Sequence, residues 1–353
     1  MKPAFLYALH SGNLYGTERM ALVTLDGLKD RFDPVVFAPP GPALEEARRL
    51  GMGTVEFANA RQFALSLLPH MLRHRRIAFA ATGVMHSLVF LAWNLLLRRR
   101  NVHLHLVHGG TDERESYGRK KRLNGLPVTL VAVSDFVRER LIAHGARPEQ
   151  IVVVENFLPE RQIEAAPHRP PFTEGGVRRV LIVSRVDPIK RVDLLLDALD
   201  RHPELQGLEF RVMGTGWDLE KLRERSAAGH PQVHFEGFCP NVAEALAEAD
   251  LLLHLCPVEP FGLAILEAMA AGLPVLVPDT GGAAGLVEPG ISGFRFHADD
   301  PDALAAALSG LASTSAERLN AVAAAAGERL RNRYSDRACL DNYRQLLEPL
   351  CHD

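Results

Sequence analysis

Cysteine is scarce in this chain. Cys239, Cys256, Cys339 and Cys351 are the four in 353 residues, and no two stand in a C-x-x-C spacing. Neither a disulfide framework nor a thiolate zinc site is indicated, and a reducing, cytoplasmic setting is the simplest expectation. Low-complexity sequence is missing apart from an alanine-rich stretch at 321–326. The apolar run at 5–9 is too short for a signal-peptide core. A strong net charge is absent too: the balance is −3, with 47% hydrophobic and 24% charged residues. That composition suits a soluble globular protein with a sizeable core, and no nucleic-acid partner is expected.

Long uncharged runs are rare, and one imitates a membrane span. Residues 77–97 contain no Asp, Glu, Lys or Arg and lie between His-Arg-Arg and Arg-Arg-Arg. About 20 apolar residues are enough to cross a bilayer. Thr82-Gly83 and His86-Ser87 nevertheless divide the run, and its neighbours alternate strand and helix, so a buried strand followed by a helix is expected. Only one Asp-x-Asp occurs, Asp300-Pro301-Asp302. It precedes a helical run and reads as an N-cap, not a metal site.

The length suggests two domains of about 150 residues each. Residues 1–156 carry a net +7 and the remainder −10, so the halves have different partners unless the asymmetry is surface scatter. Apolar strands alternate with helical periodicity through 1–156. Proline and glycine crowd 157–176, which reads as a linker without regular structure. A second strand–helix series fills 177–334, and 335–353 carries an amphipathic helix expected to pack back on the first domain. The fold class is α/β with two doubly wound domains.

The chain is organised around 256–272, CPVEPFGLAILEAMAAG. Prolines 257 and 260 keep its start in a loop, helix formers follow Gly262, and Gly272 suits a helix C-cap. Glu259 lies in the loop and Glu267 inside an otherwise apolar helix. The helix start at Gly262 and Leu263 offers free N–H groups to a phosphate. Two further loops follow strands and precede helices. Ser184–Arg191 supplies Arg185 and Lys190, which suit phosphate oxygens, and 213–217 carries Gly214 and Gly216. Together they describe a diphosphate pocket. The polar loop 10–18, with Gly16, opens the first domain. His103 and His105 share one strand face while His108 ends the other, so no zinc triad forms. His108, at the C-terminal edge of its strand before Gly-Gly, reads as a substrate contact or an ordinary surface histidine. The run Arg119-Lys120-Lys121-Arg122 reads as a solvated mobile loop or as a contact for an anionic acceptor or membrane surface.

The segments SRVDPIKRVDLLLDA, MGTGW, VHFEGF and EPFGLAILEAMAAGLPVLVPDTGG resemble those of retaining glycosyltransferases of family four, and YGTERMALVTLDGL is similar to that family's first Gly loop and helix. The resemblance implies a GT-B fold, two Rossmann-like domains facing across a cleft, with acceptor on the first and nucleotide sugar on the second. It implies that Arg185 and Lys190 hold the donor diphosphate, Glu267 the ribose and Glu259 the transferred sugar. Phe261, Gly262 and Leu263 would offer backbone N–H groups, Phe238 would line the base pocket, Gly16 would approach the phosphates and His108 would contact the sugar. The donor would be UDP- or GDP-linked, with no cofactor or metal. Tyr15, Asn156-Phe157, Trp217 and Gly285 depart from the family's usual residues. The implied acceptor is a carbohydrate or lipid-linked hydroxyl, in surface polysaccharide or lipopolysaccharide assembly, with peripheral contact at the inner membrane face through the basic first domain. A small secondary metabolite as acceptor, an epimerase-like enzyme and a non-catalytic sugar-nucleotide binder are the alternatives.

Overall fold

A computed structural model describes residues 2–110 and 112–350. The chain forms two units, 1–157 with 336–353, and 158–335. In the first, β1 (Ala4–Ala8), β2 (Asp33–Ala38), β3 (Gly53–Glu56), β4 (Ile77–Ala81), β5 (Val102–Val107), β6 (Thr129–Ala132) and β7 (Ile151–Val153) make a parallel sheet in the order 3-2-1-4-5-6-7. In the second, β8 (Arg179–Val183), β9 (Glu209–Met213), β10 (Val233–Gly237), β11 (Leu251–Leu253), β12 (Val275–Pro278) and β13 (Phe294–Phe296) run parallel in the order 10-9-8-11-12-13. β1 and β4 are buried at every position, as expected of strands covered by helices on both faces. The order reverses between β1 and β4 in one sheet and between β8 and β11 in the other. Ligand crevices of doubly wound sheets open at such points, beyond the strand C-termini.

The uncharged run 77–97 resolves into β4 and the helix Val84–Leu96, capped at Gly83. Among the described residues, no helix is long and apolar enough to cross a membrane. The segment 157–176 differs from the expected structureless linker. Pro159 caps the helix Glu160–Ala165, so the proline precedes the helix and does not interrupt it. Arg169 lies over the Phe172 ring and donates to Asp250, which also accepts the Arg178 and Arg179 N–H groups. The basic run is not a free loop either. It folds as a 3-10 helix, Gly118–Leu123, with Lys120 and Leu123 buried. The helix Asp336–Leu347 lies on Gly16–Gly27, its Leu340 packed on Gly27 and its Tyr343 hydrogen-bonded to Thr24. Asp300 caps Pro301–Ala312, accepting from the Asp302 and Ala303 N–H groups.

Candidate functional site

The second sheet reverses between β8 and β11, and the loops after these two strands carry the charged residues. After β8, Asp187 is buried and fixes the turn from both sides: it pairs with exposed Arg185 at 2.6 Å and accepts the Trp217 N–H at 3.1 Å. The turn after β9 lies directly on this loop. Gly214 has φ +146, and a Cβ there would run into the Ser184 carbonyl. Val186 N–H donates to the Thr215 carbonyl at 3.0 Å, and Asp218 N–H to that of Val186 at 2.9 Å. Gly214 therefore supports the cation-bearing loop through its backbone.

After β11, Glu259 Oε2 accepts from the Lys190 ammonium of the β8 loop at 2.6 Å, and His254 Nε2 lies 3.5 Å from the same oxygen. Both partners of the ion pair are largely buried. Burial works against the Glu259 carboxylate, but the Lys190 charge and His254 outweigh it and hold the group well below the usual carboxylate range. Burial likewise disfavours the Lys190 ammonium, yet Glu259 reverses this and raises it above the ordinary value. Neighbouring Cys256 is pushed up to about 11 by burial, against the pull of Lys190. His254, Cys256 and Glu259 present atoms within 4.8 Å of one another, the one such group found among the described residues. The ammonium already neutralises Glu259, so a metal there would have to displace Lys190.

Gly262 caps the helix Leu263–Ala270 and its carbonyl accepts the Ile265 N–H at 3.0 Å, while the Leu263 and Ala264 N–H groups precede the helix's own ladder. The loop before it is held down by Gly282, where a Cβ would meet the Pro260 carbonyl, and Gly282 N–H donates to the Glu259 carbonyl at 2.6 Å. Thr280 Oγ1 donates to the Pro257 carbonyl at 2.9 Å. Phe261 turns its ring into the core against Tyr334, 6.0 Å between centroids, so it offers only backbone. Leu263 and Glu267 are half-buried on the helix. Phe238, after β10, is 77% exposed.

At the switch point of the first sheet, His10 follows β1 and Thr82 follows β4. They are joined by Nδ1 and Oγ1 at 2.8 Å, and the His10 N–H also donates to Oγ1. Gly16 begins the helix Gly16–Gly27. Glu18 is buried and accepts the Tyr15 N–H at 3.2 Å. His108 closes β5. Its Nε2 is buried without a hydrogen-bond partner among the described residues, and burial, aided by His10, lowers the imidazole to about 4. Behind it, Ser87 Oγ bridges His105 Nδ1 at 2.9 Å and His103 Nε2 at 3.0 Å, so these histidines serve the core. A cavity of about 890 Å³ opens here, with His10, Thr82 and His108 in its wall.

The sequence singled out Arg185, Lys190, Glu259 and Gly262, and the structure brings them to one switch point. His108 and Gly16 lie in the other unit. Asp187, His254, His10 and Thr82 were missed. Only Asp187, two residues from Arg185 in a loop before a helix, gave a local hint.

Two parallel doubly wound sheets make the fold GT-B, and solved structures agree. The UDP complex of Anabaena Alr3699/HepE superimposes with a TM-score of 0.81 at 20% identity, over 99% of this chain and 100% of that one. Residues 177–314 match the family model of glycosyl transferases group 1, so this stretch is similar to that family. A D-inositol 3-phosphate glycosyltransferase of Geodermatophilus obscurus is 34% identical over 195 residues, 50% of this chain and 43% of that protein. The amylovoran biosynthesis glycosyltransferase AmsK of Erwinia amylovora is 28% identical over 297 residues, 79% of this chain and 69% of that one. The matched stretch spans about half the length of the first of these relatives.

Proposed function

We propose that the chain transfers a sugar, with retention of configuration, from a UDP- or GDP-linked donor to an acceptor hydroxyl. The observation that carries this is the Lys190–Glu259 pair at the β8–β11 switch point, beside Arg185 and the helix start at Gly262. A diphosphate there would meet two cations and the N–H groups of a helix N-terminus. Glu259, held ionised, would accept hydrogen bonds from sugar hydroxyls, and Glu267 from the ribose diol. Gly214 and the Phe261, Gly262 and Leu263 backbone complete the donor side, with Phe238 toward the base. On this reading 177–334 is the donor domain. Residues 1–156, with the C-terminal helix, take the acceptor.

A double-displacement glycosidase places two carboxylates about 5 Å apart around the scissile bond. Here Glu259 is bound to Lys190 and assigned to hydroxyls. The mechanism we favour is attack on the face that the diphosphate leaves. The acceptor oxygen bonds to the anomeric carbon as the carbon–oxygen bond to phosphate breaks, and the hydroxyl proton passes to the leaving diphosphate. Arg185 and Lys190 stabilise the charge that develops there, which leaves no step for a metal.

The acceptor we propose is a carbohydrate or lipid-linked hydroxyl in surface polysaccharide or lipopolysaccharide assembly at the cytoplasmic membrane face. The relative named for amylovoran biosynthesis and the +7 charge of residues 1–156 support this. The test is a panel of nucleotide sugars, read by melting temperature and slow donor hydrolysis. One donor should raise the melting temperature and be hydrolysed with an axial product anomer retained. Binding without turnover of any donor by any acceptor would reduce the protein to a sugar-nucleotide binder.

A further inference from the structure

The 890 Å³ cavity of the first unit has two unlike walls. One is a face of the helix Val84–Leu96: Val84, Leu88 and Ala92 recur at four-residue intervals, with Met85 and Val89 on the adjoining row. Met85 and Leu88 are each 38% exposed there, apolar surface that the protein itself leaves uncovered. The other wall is cationic, with Arg119, Lys120 and Arg122 and one carboxylate, Glu115. That carboxylate is already taken by Arg119 at 2.5 Å.

Lys120 is the informative member. The residue is 8% exposed, and its ammonium donates to the Glu115 carbonyl at 2.9 Å. Among the described residues, no carboxylate pairs with it. A buried ammonium without a counter-charge is costly, and burial lowers this one to about 8 despite the attraction of Glu115. The ammonium has three donors and uses one among the described residues. An anion with several acceptor oxygens would supply the missing charge and bonds, and the two arginines beside it suit a phosphate. A neutral sugar would leave the charge uncompensated.

We propose that this cavity binds an acceptor carrying a phosphate beside an apolar group, the phosphate on Lys120, Arg119 and Arg122 and the apolar part along the helix Val84–Leu96. The purpose of the bound molecule rests on the transferase reading; its binding does not. The phosphate belongs either to a water-soluble sugar phosphate that also carries an apolar group or to a lipid headgroup, and both present the same chemistry to Lys120.

The probes are octyl phosphate below its micelle-forming concentration, inorganic phosphate and octyl glucoside, titrated calorimetrically into the full chain. Octyl phosphate should bind and raise the melting temperature, inorganic phosphate should bind more weakly, and octyl glucoside should not bind. Lys120→Met should weaken octyl phosphate about 30-fold or more while melting no lower than the parent without ligand, because it removes an unpaired buried charge. Leu88→Gln, at an exposed position, should weaken octyl phosphate and leave inorganic phosphate unchanged. Saturation by octyl phosphate without vesicle binding assigns the soluble source. Lys120-dependent sedimentation with phosphatidic acid vesicles assigns the lipid one. The proposal is overturned if octyl phosphate fails to bind, binds both variants as it binds the parent, or binds no better than octyl glucoside. UDP and GDP titrations in the same series report on the second unit. Their failure would sink the transferase reading and leave this site standing.

Discussion

Lys190 and Glu259 stand 69 residues apart in sequence, and their side chains meet at 2.6 Å. Each keeps the other charged in a setting that would otherwise favour the neutral forms. The pair is therefore both a piece of structure and a reserve of aligned charge at the switch point.

Removing one partner strands the other. Glu259→Ala and Lys190→Met should each cost about 3 kcal/mol of stability. The double variant should cost less than the sum, since neither charge is then left alone. Urea unfolding of the four proteins gives the coupling. Strict additivity would mean that the pair is solvated and not structural. In donor hydrolysis, Glu259→Gln should lower kcat at least about 100-fold.

Gly214→Ala should be the most damaging single-methyl change in the second unit. It forces a β-carbon onto the Ser184 carbonyl at a φ of +146, and so pushes against the loop that carries Arg185 and Lys190. A loss of about 3 kcal/mol or more is expected, with nucleotide binding lost alongside. Gly207→Ala, which meets nothing within 4 Å, is the control and should be within about 0.5 kcal/mol of the parent. Equal melting temperatures for the two variants would contradict the packing described here.

Acid should weaken the first unit before the second. His86 and His108 are held at about 4 and His103 at about 3, each by burial, against an ordinary 6.5. The unfolded chain takes up protons below pH 6.5 that the folded chain refuses, so stability falls as pH drops from 6.5 toward 4 and is flat above. His86 alone accounts for on the order of 3 kcal/mol over that window. Glu259 has the opposite shift: its contribution is present above the ordinary carboxylate range and is lost only on stronger acidification. Denaturant midpoints at pH 7.5, 6, 5 and 4 test this, and a flat profile between 7 and 4 would rule it out.

Chelation should leave transfer untouched. The His254, Cys256 and Glu259 group offers metal-ligand atoms, but its carboxylate is held by an ammonium and its thiol is pushed up to about 11. Activity in excess EDTA should equal activity without it. Loss in EDTA and recovery with magnesium would require a different mechanism.

The two sheets were legible because parallel strands covered on both faces read as unbroken apolar runs. The candidate site residues Glu259, Lys190 and Arg185 were legible as charged residues in loops that follow strands. Their pairing was not. Nothing in a sequence says that residue 190 reaches residue 259, or that Phe261 turns inward while its neighbours stay at the loop. Lys120 was the clearest misreading. Four consecutive basic residues look solvated by composition, yet a 3-10 turn necessarily points successive side chains in different directions, and this one points in. The prolines of 157–176 misled in a similar way, because proline breaks a helix from within and starts one from its first turn.

The helix Asp336–Leu347 closes the unit that β1 begins, with residues 158–335 in between. During synthesis the first sheet leaves the ribosome long before its last helix does. Until then the helix Gly16–Gly27 lacks Leu340 and Tyr343 against Gly27 and Thr24. The amino-terminal half must wait, incomplete and with apolar surface bare, while the other half folds. Expressed alone, residues 1–157 should aggregate, and supplying 336–353 as a separate peptide should restore their solubility.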